Sequence, residues 1–284
     1  TPLYSSAASD VYKRQSQDKA RKYQEHGIRL PTTVETANWY MGFNWLDPVV
    51  GKGDTPEQAE KNRKLRQAIS IAFDWEEYVA VFENSQASVA YGPVPPGVLG
   101  YREPPEGVNP VVYDLVDGKP VRKSVDVAKR LLAEAGYPDG RNAVTGAPLV
   151  LYYDSMQGGG SNPTFDWMRR QMAKIGVQMD VRATDYNRFQ DKMRRGSAQI
   201  FLWGWNADYP DAENFLFLLY GPNAKAKDGG ENAANYDSPE YNRLFEQMKF
   251  LDDGPEKEAL IARMVAIVPV SYTHLRAHET RHDL

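Results

Sequence analysis

Apolar positions recur along the chain at two periods, and the switch between them predicts the architecture. From Pro148 onward, Leu149–Tyr153 reads as a strand. Asn162 then caps and Pro163 starts a helix with Phe165, Met168, Met172 and Ile175 on its inner face, ended by Gly176. Val177, Met179, Val181 and Ala183 alternate with polar residues, which predicts a half-exposed strand. Asp185 opens a short helix that Gly196 closes, and the unbroken apolar run Ile200–Trp203 predicts a strand buried on both faces. The β-α-β-α-β order implies a largely parallel sheet with right-handed crossovers.

Upstream, the aromatic run Asn38–Trp45 reads as a strand that Asp47-Pro48 ends. Lys61–Asp74 is expected to be helical, with Leu65, Ala68, Ile69 and Ala72 sharing one face. Asp74 and Glu77 form a capping pair for the next helix, whose apolar stripe of Trp75, Tyr78, Val79 and Phe82 belongs to the core. Tyr91–Tyr101 carries three prolines and three glycines and must be an ordered loop. Ser124 is expected to cap a helix through Ala135, with Val125, Ala128, Leu131, Leu132 and Ala135 inward and Gly136 as its left-handed stop. Two further helices are expected to begin at Ser238-Pro239, with Tyr241, Leu244, Phe245 and Met248 apolar, and at Pro255.

Composition narrows the function. The 284 residues suffice for one large domain or two ordinary ones, and 42% hydrophobic with 25% charged residues is ordinary for a globular protein. A net charge of -4 weighs against nucleic acid as a partner. The absence of cysteine excludes disulfides, thiolate metal sites and cysteine nucleophiles. No apolar run approaches the roughly eighteen residues of a membrane helix, and Thr1–Gln15 has no signal-peptide core.

Both ends resemble sequencing adapters. Ser5–Gln15 (SSAASDVYKRQ) back-translates to a transposase adapter, and Val270–Thr280 (VSYTHLRAHET) to its companion in the opposite sense. Residues 1–15 and 270–284 are therefore expected to be non-native tails. The second holds a catalytic-looking motif, H-E-x-x-H over His278–His282, which on a helix would place two imidazoles against one zinc with Glu279 as general base. LRAHETRHDL lacks the apolar face that a packed zinc-binding helix has, so read-through is the preferred reading and no metal is expected.

In an open α/β sheet, ligands meet the loops beyond the carboxyl ends of the strands. The loop after the run Ile200–Trp203 holds Trp205, Asn206, Asp208, Tyr209 and Asp211 and is the leading candidate site. A partly buried carboxylate there needs a cationic partner from protein or ligand. Asp211 is expected to cap a helix starting near Ala212. Asp208, Asp211 and Glu213 lack the spacing of a calcium loop. Gly158-Gly159-Gly160 lacks the following Lys-Ser/Thr of a phosphate loop and reads as a turn. With His26 outside the sheet region and the other histidines in the tail, no nucleophile–histidine pair is available, and no catalytic residue is assigned.

Three segments carry a resemblance: RKLRQAISIAFDWEEYV (Arg63–Val79), SVDVAKRLLAEAGYPDG (Ser124–Gly140) and FLWGWNADYPDAENFL (Phe201–Leu216), supported by YGPVPPG (Tyr91–Gly97). In this order they resemble the extracellular solute-binding protein family 5, the oligopeptide- and dipeptide-binding type that serves ABC importers. The resemblance covers about Asn38–Val268. It implies an α/β lobe of the type II periplasmic-binding-protein kind, with a mixed, largely parallel sheet flanked by helices and an incomplete second lobe. It divides the chain into the end of an N-terminal lobe and an inter-lobe strand (16–50) and a truncated C-terminal lobe (51–269). In peptide-binding members the aspartate of W-x-A-D receives the peptide's terminal ammonium, which makes Asp208 the implied ligand residue, with Trp203, Trp205, Asn206 and Tyr209 beside it. Extended peptide would be held by strand-like hydrogen bonds. No cofactor is implied. The implied partners are a small peptide or other small solute and ABC permease subunits, with a monomer in the periplasm or anchored outside the cytoplasmic membrane. The alternatives are a receptor for an oligosaccharide, suggested by the 12% aromatic content, and a zinc peptidase built on residues 278–282. Residues 16–269 alone are expected to bind solute poorly, because domain closure needs both lobes.

Overall fold

In chain order, a computed structural model places β1 (Thr32–Val34), β2 (Ala37–Phe43), α1 (Pro56–Ala72), α2 (Trp75–Phe82), β3 (Ala87–Ser88) and the pair β4 (Tyr113–Val116) and β5 (Lys119–Arg122). α3 (Val125–Glu134), β6 (Val150–Met156), α4 (Asn162–Ala173), β7 (Gln178–Thr184), α5 (Tyr186–Arg194) and β8 (Ile200–Asn206) follow. The short α6 (Glu213–Leu216) and α7 (Lys225–Asp228), then α8 (Pro239–Met248), α9 (Pro255–Ser271) and β9 (His278–His282), complete the order. The structure describes residues 22, 25–27, 32–83, 87–158, 162–271 and 278–282.

The central sheet has the order β2-β8-β6-β7. β6 runs parallel to both β7 and β8, while β2 is antiparallel to β8 from Ala37–Asn206 to Phe43–Ile200. It is therefore mixed and largely parallel. The first crossover, through α4, leads from β6 to β7, and the second, through α5, returns to the other side of β6. Side chains alternate across a strand, so the helices take opposite faces. Tyr153 meets Phe165 of α4 with ring centroids 6.3 Å apart, whereas its neighbour Asp154 accepts from Lys192 of α5 at 2.6 Å. Phe165, Met168, Met172 and Ile175 are all buried, with Trp167 beside them against Phe73, Trp75 and Tyr78.

The local signals act as their chemistry dictates. The Asp74 side chain accepts from the Glu77 N–H at 2.9 Å and caps α2. Gly136, Gly176 and Gly196 have positive φ at the ends of α3, α4 and α5. α1 begins at Pro56 rather than near Lys61, because Thr55 caps it. Ser124 precedes α3 but makes no side-chain cap bond.

One expectation is corrected, and the H-E-x-x-H motif takes a different form from the helix its zinc reading would need. The run Ile200–Trp203 is not buried on both faces throughout: Ile200 and Phe201 are buried, whereas Leu202 and Trp203 are half-buried. β6 pairs with β8 only at Tyr153–Ile200 and Asp154–Phe201, so the strand loses a neighbour beyond that point. The H-E-x-x-H motif is a strand, not a helix: β9 pairs with β1 and with β3. At about 3.3 Å rise per residue, its two histidines stand roughly 13 Å apart along the chain, against about 6 Å on a helix. The backbone therefore does not bring them to one metal. Most of the two tails, residues 1–15, 272–277 and 283–284, lies outside the described residues.

Candidate functional site

β6 is the strand at which the sheet order reverses, and in open α/β sheets the crevice for a ligand opens at that point, beyond the carboxyl ends of the strands. Here that point is between β6 and β8, whose pairing ends after Asp154 and Phe201. On the β2 side, Asn44 N–H donates to Gln199 O at 2.9 Å and Ala207 N–H to Thr36 O at 2.8 Å. These bracket the antiparallel ladder, so the odd-numbered residues of β8 bond to β2. Gly204 and Asn206 consequently turn their N–H and C=O groups toward the opposite edge, where no strand pairs with them among the described residues.

Gly204 has a second role on that strand. The Trp39 indole lies against its backbone, and a Cβ at position 204 would stand 2.5 Å from two ring carbons. Trp203 and Trp205 point to the other face. Phe189 stacks on Trp203 at 5.9 Å, and the Lys225 ammonium lies 5.3 Å from its ring centroid. That tryptophan is thus a half-buried wall held between two side chains. Trp205 is also half-buried: its ring meets Phe217 edge-on at 5.1 Å, and its Nε1–H donates to Asn214 Oδ1 at 3.1 Å.

The following loop separates its acids by partner. Asp211 accepts from the Glu213 N–H at 2.8 Å, as a capping residue does, and its other oxygen takes the Lys257 ammonium of α9. The Lys257 side chain is 4% exposed, so Asp211 and Asp253 supply the counter-charge that its burial requires. Burial works against the Lys257 charge, but the hydrogen bonds to Asp211 and Asp253 outweigh it and raise the amine above its ordinary value. The exposed Tyr209 donates to Glu213. Desolvation and then that carboxylate push the phenol up to about 12. Asn206 is exposed.

Asp208 differs from Asp211. It is exposed, its N–H donates to Asn214 Oδ1 at 2.8 Å and its Oδ2 accepts from Asn214 Nδ2 at 3.3 Å. Among the described residues no lysine or arginine forms an ion pair with it, whereas Asp211 has Lys257. The structure therefore places Trp205, Asn206, Asp208 and Tyr209 along one strand end and loop and sets Trp203 into packing. Sequence reading missed the open edge at Gly204 and Asn206 and the buried Asn214. Asn214 stood in the quoted motif, but only its contacts mark it.

A cavity of about 630 Å³ lies elsewhere, between the Tyr91–Tyr113 region and α9, with Tyr101, Leu115 and Val265 in its wall. None of the candidate residues lines it. The loop differs from this cavity in combining open backbone groups with a carboxylate that no lysine or arginine among the described residues pairs with.

Comparison with known proteins agrees with this architecture. Residues 3–227 match the family model described as bacterial extracellular solute-binding proteins, family 5 Middle. The chain is 28% identical over 200 residues to Di/tripeptide-binding protein 2 of Pseudomonas aeruginosa, an alignment covering 69% of this chain and 34% of that protein. It is 24% identical over 264 residues to Heme-binding protein A of Haemophilus influenzae, covering 92% and 41%. The periplasmic binding protein DppA from Helicobacter pylori, solved with the peptide STSA, superposes with a TM-score of 0.72 at 18% identity, covering 98% of this chain and 51% of that one. The chain thus spans between about a third and a half of these proteins. With the match extending over most of its length, the chain belongs to the bacterial extracellular solute-binding proteins, family 5.

Proposed function

We propose that this chain is the C-terminal lobe of a two-lobed receptor that captures peptides for an ABC importer outside the cytoplasmic membrane. The observation that carries the reading is the open edge of β8 at Gly204 and Asn206, which leads directly to the unpaired carboxylate of Asp208. A strand edge offers backbone hydrogen bonds to an extended peptide whatever its side chains. A carboxylate without a protein cation, closed off from water by the opposite lobe, favours an ammonium. Trp205 and Tyr209 flank that position, and Trp203 stiffens the wall behind it. β2 joins residues 37–43 to the same sheet, so the lobe extends back into the 16–50 stretch. The partner on the membrane side is the permease, and the receptor acts as a monomer. A neutral oligosaccharide has hydroxyls for hydrogen bonds but no positive charge to pair with Asp208.

The test is calorimetric titration of the two-lobed protein, obtained by extending the reading frame in transposase-free source DNA, with a free-amine tripeptide, its N-acetyl derivative and an oligosaccharide. Peptide binding that falls at least tenfold on Asp208→Asn, with no oligosaccharide binding, is expected. Unchanged peptide affinity in Asp208→Asn would refute the assignment.

A further inference from the structure

The two groups assigned to the ligand, the Trp205 indole and the Asp208 carboxylate, share one contact. Asn214 is 3% exposed. Its Oδ1 accepts from Trp205 Nε1–H at 3.1 Å and from the Asp208 N–H at 2.8 Å, and its Nδ2 donates to Asp208 Oδ2 at 3.3 Å. A side-chain amide has one acceptor end and one donor end. With two N–H groups on the acceptor end, the donor end must turn to the carboxylate, so the three bonds are satisfied together in one orientation. An inverted amide would set Nδ2 against two donors at once, which a buried site does not tolerate.

We infer that Asn214 is the positioning residue of the site: it holds the indole of Trp205 and aims the carboxylate of Asp208, and thereby sets the preference for peptides with a free terminal ammonium. The inference rests on the reading of Asp208 as the ammonium receptor. Asn214 is buried and acts through these two groups. Its effect is on direction, because a carboxylate on an exposed loop otherwise samples several rotamers and binds the ammonium in only some of them. The second anchor of the loop, Asp211 on Lys257, fixes the chain three residues further on but does not reach the Asp208 carboxylate.

A merely structural asparagine would weaken every ligand alike, so the informative readout is the ratio of affinities for a free-amine tripeptide and its N-acetyl derivative. Calorimetry on the two-lobed protein would compare Asn214→Leu, Asn214→Ser and Asp208→Asn. The Trp205 indole ¹H–¹⁵N resonance would be followed alongside. Asn214→Leu is expected to lower free-amine affinity by about tenfold or more, the scale of losing hydrogen bonds to a charged group, lower that of the acetylated peptide by clearly less, and shift the indole resonance. Asn214→Ser, which keeps one acceptor on a shorter arm, should fall between and decides the matter should the leucine variant not fold. An unaltered ratio in both variants while Asp208→Asn loses the free-amine peptide overturns the role of Asn214, as does an equal loss for both peptides. An unaltered ratio in Asp208→Asn instead overturns the reading beneath it.

Discussion

Gly204→Ala tests the seat of Trp39 on the strand that carries the candidate site. An added Cβ would lie 2.5 Å from Trp39 Cδ2 and Cε3 and 2.8 Å from Cε2. Carbon atoms pack best at about 3.5–4.0 Å, so the indole has to retreat by about 1 Å. The strands cannot simply open, because Trp39–Gly204 lies between the bonded pairs Tyr40–Trp203 and Asn38–Trp205. Overpacking of this kind costs about 1–3 kcal/mol. With a urea slope of about 2–3 kcal/mol/M for a chain of this size, a loss of about 2 kcal/mol lowers the midpoint by roughly 0.7–1 M. Equilibrium urea unfolding of the 284-residue chain, followed by circular dichroism, measures it. In a Trp39→Leu background the same substitution should cost less than about 0.5 kcal/mol, a coupling that a double-mutant cycle reports directly. Equal costs in the two backgrounds would show that the methyl group meets something other than the indole and would refute the reasoning.

Two further outcomes follow from the charges and the strand β9. Because the Lys257 amine is raised in the folded state, its contribution to stability is whole below the unfolded value near 10.4 and is lost as pH rises through the folded one. Lys257→Met should therefore show a shallower decline of stability above about pH 10.4 than the parent, and identical slopes would sink the pairing with Asp211 and Asp253. Zinc at equimolar concentration should move the melting temperature by less than about 1 °C, since ligands bound only weakly by the native state add little; a rise of several degrees would mean that His278 and His282 do meet on one ion.

What the sequence determined by itself was local. Periods of 3.6 and 2, caps and left-handed glycines arise from bonds within a few residues. Phe165, Met168, Met172 and Ile175 accordingly point inward, Asp74 caps α2, and Gly176 stops its helix as read. The β4–β5 hairpin also had a local signal, the two-residue turn Asp117-Gly118 with both φ positive, and reading that dipeptide would have found it. The motif Trp205–Asp208 marked the loop, but not which of its acids a protein cation neutralises. That choice depended on Lys257, which reaches Asp211 across 46 positions of sequence, while among the described residues no lysine or arginine pairs with Asp208. Likewise the run Ile200–Trp203 looks the same whether a strand has one neighbour or two, and only the divergence of β6 exposed the edge at Gly204 and Asn206. Strand order, ion-pair choice and the convergence of Trp205 and Asp208 on Asn214 are properties of segments packed together, and no spacing along the chain encodes them separately from the packing.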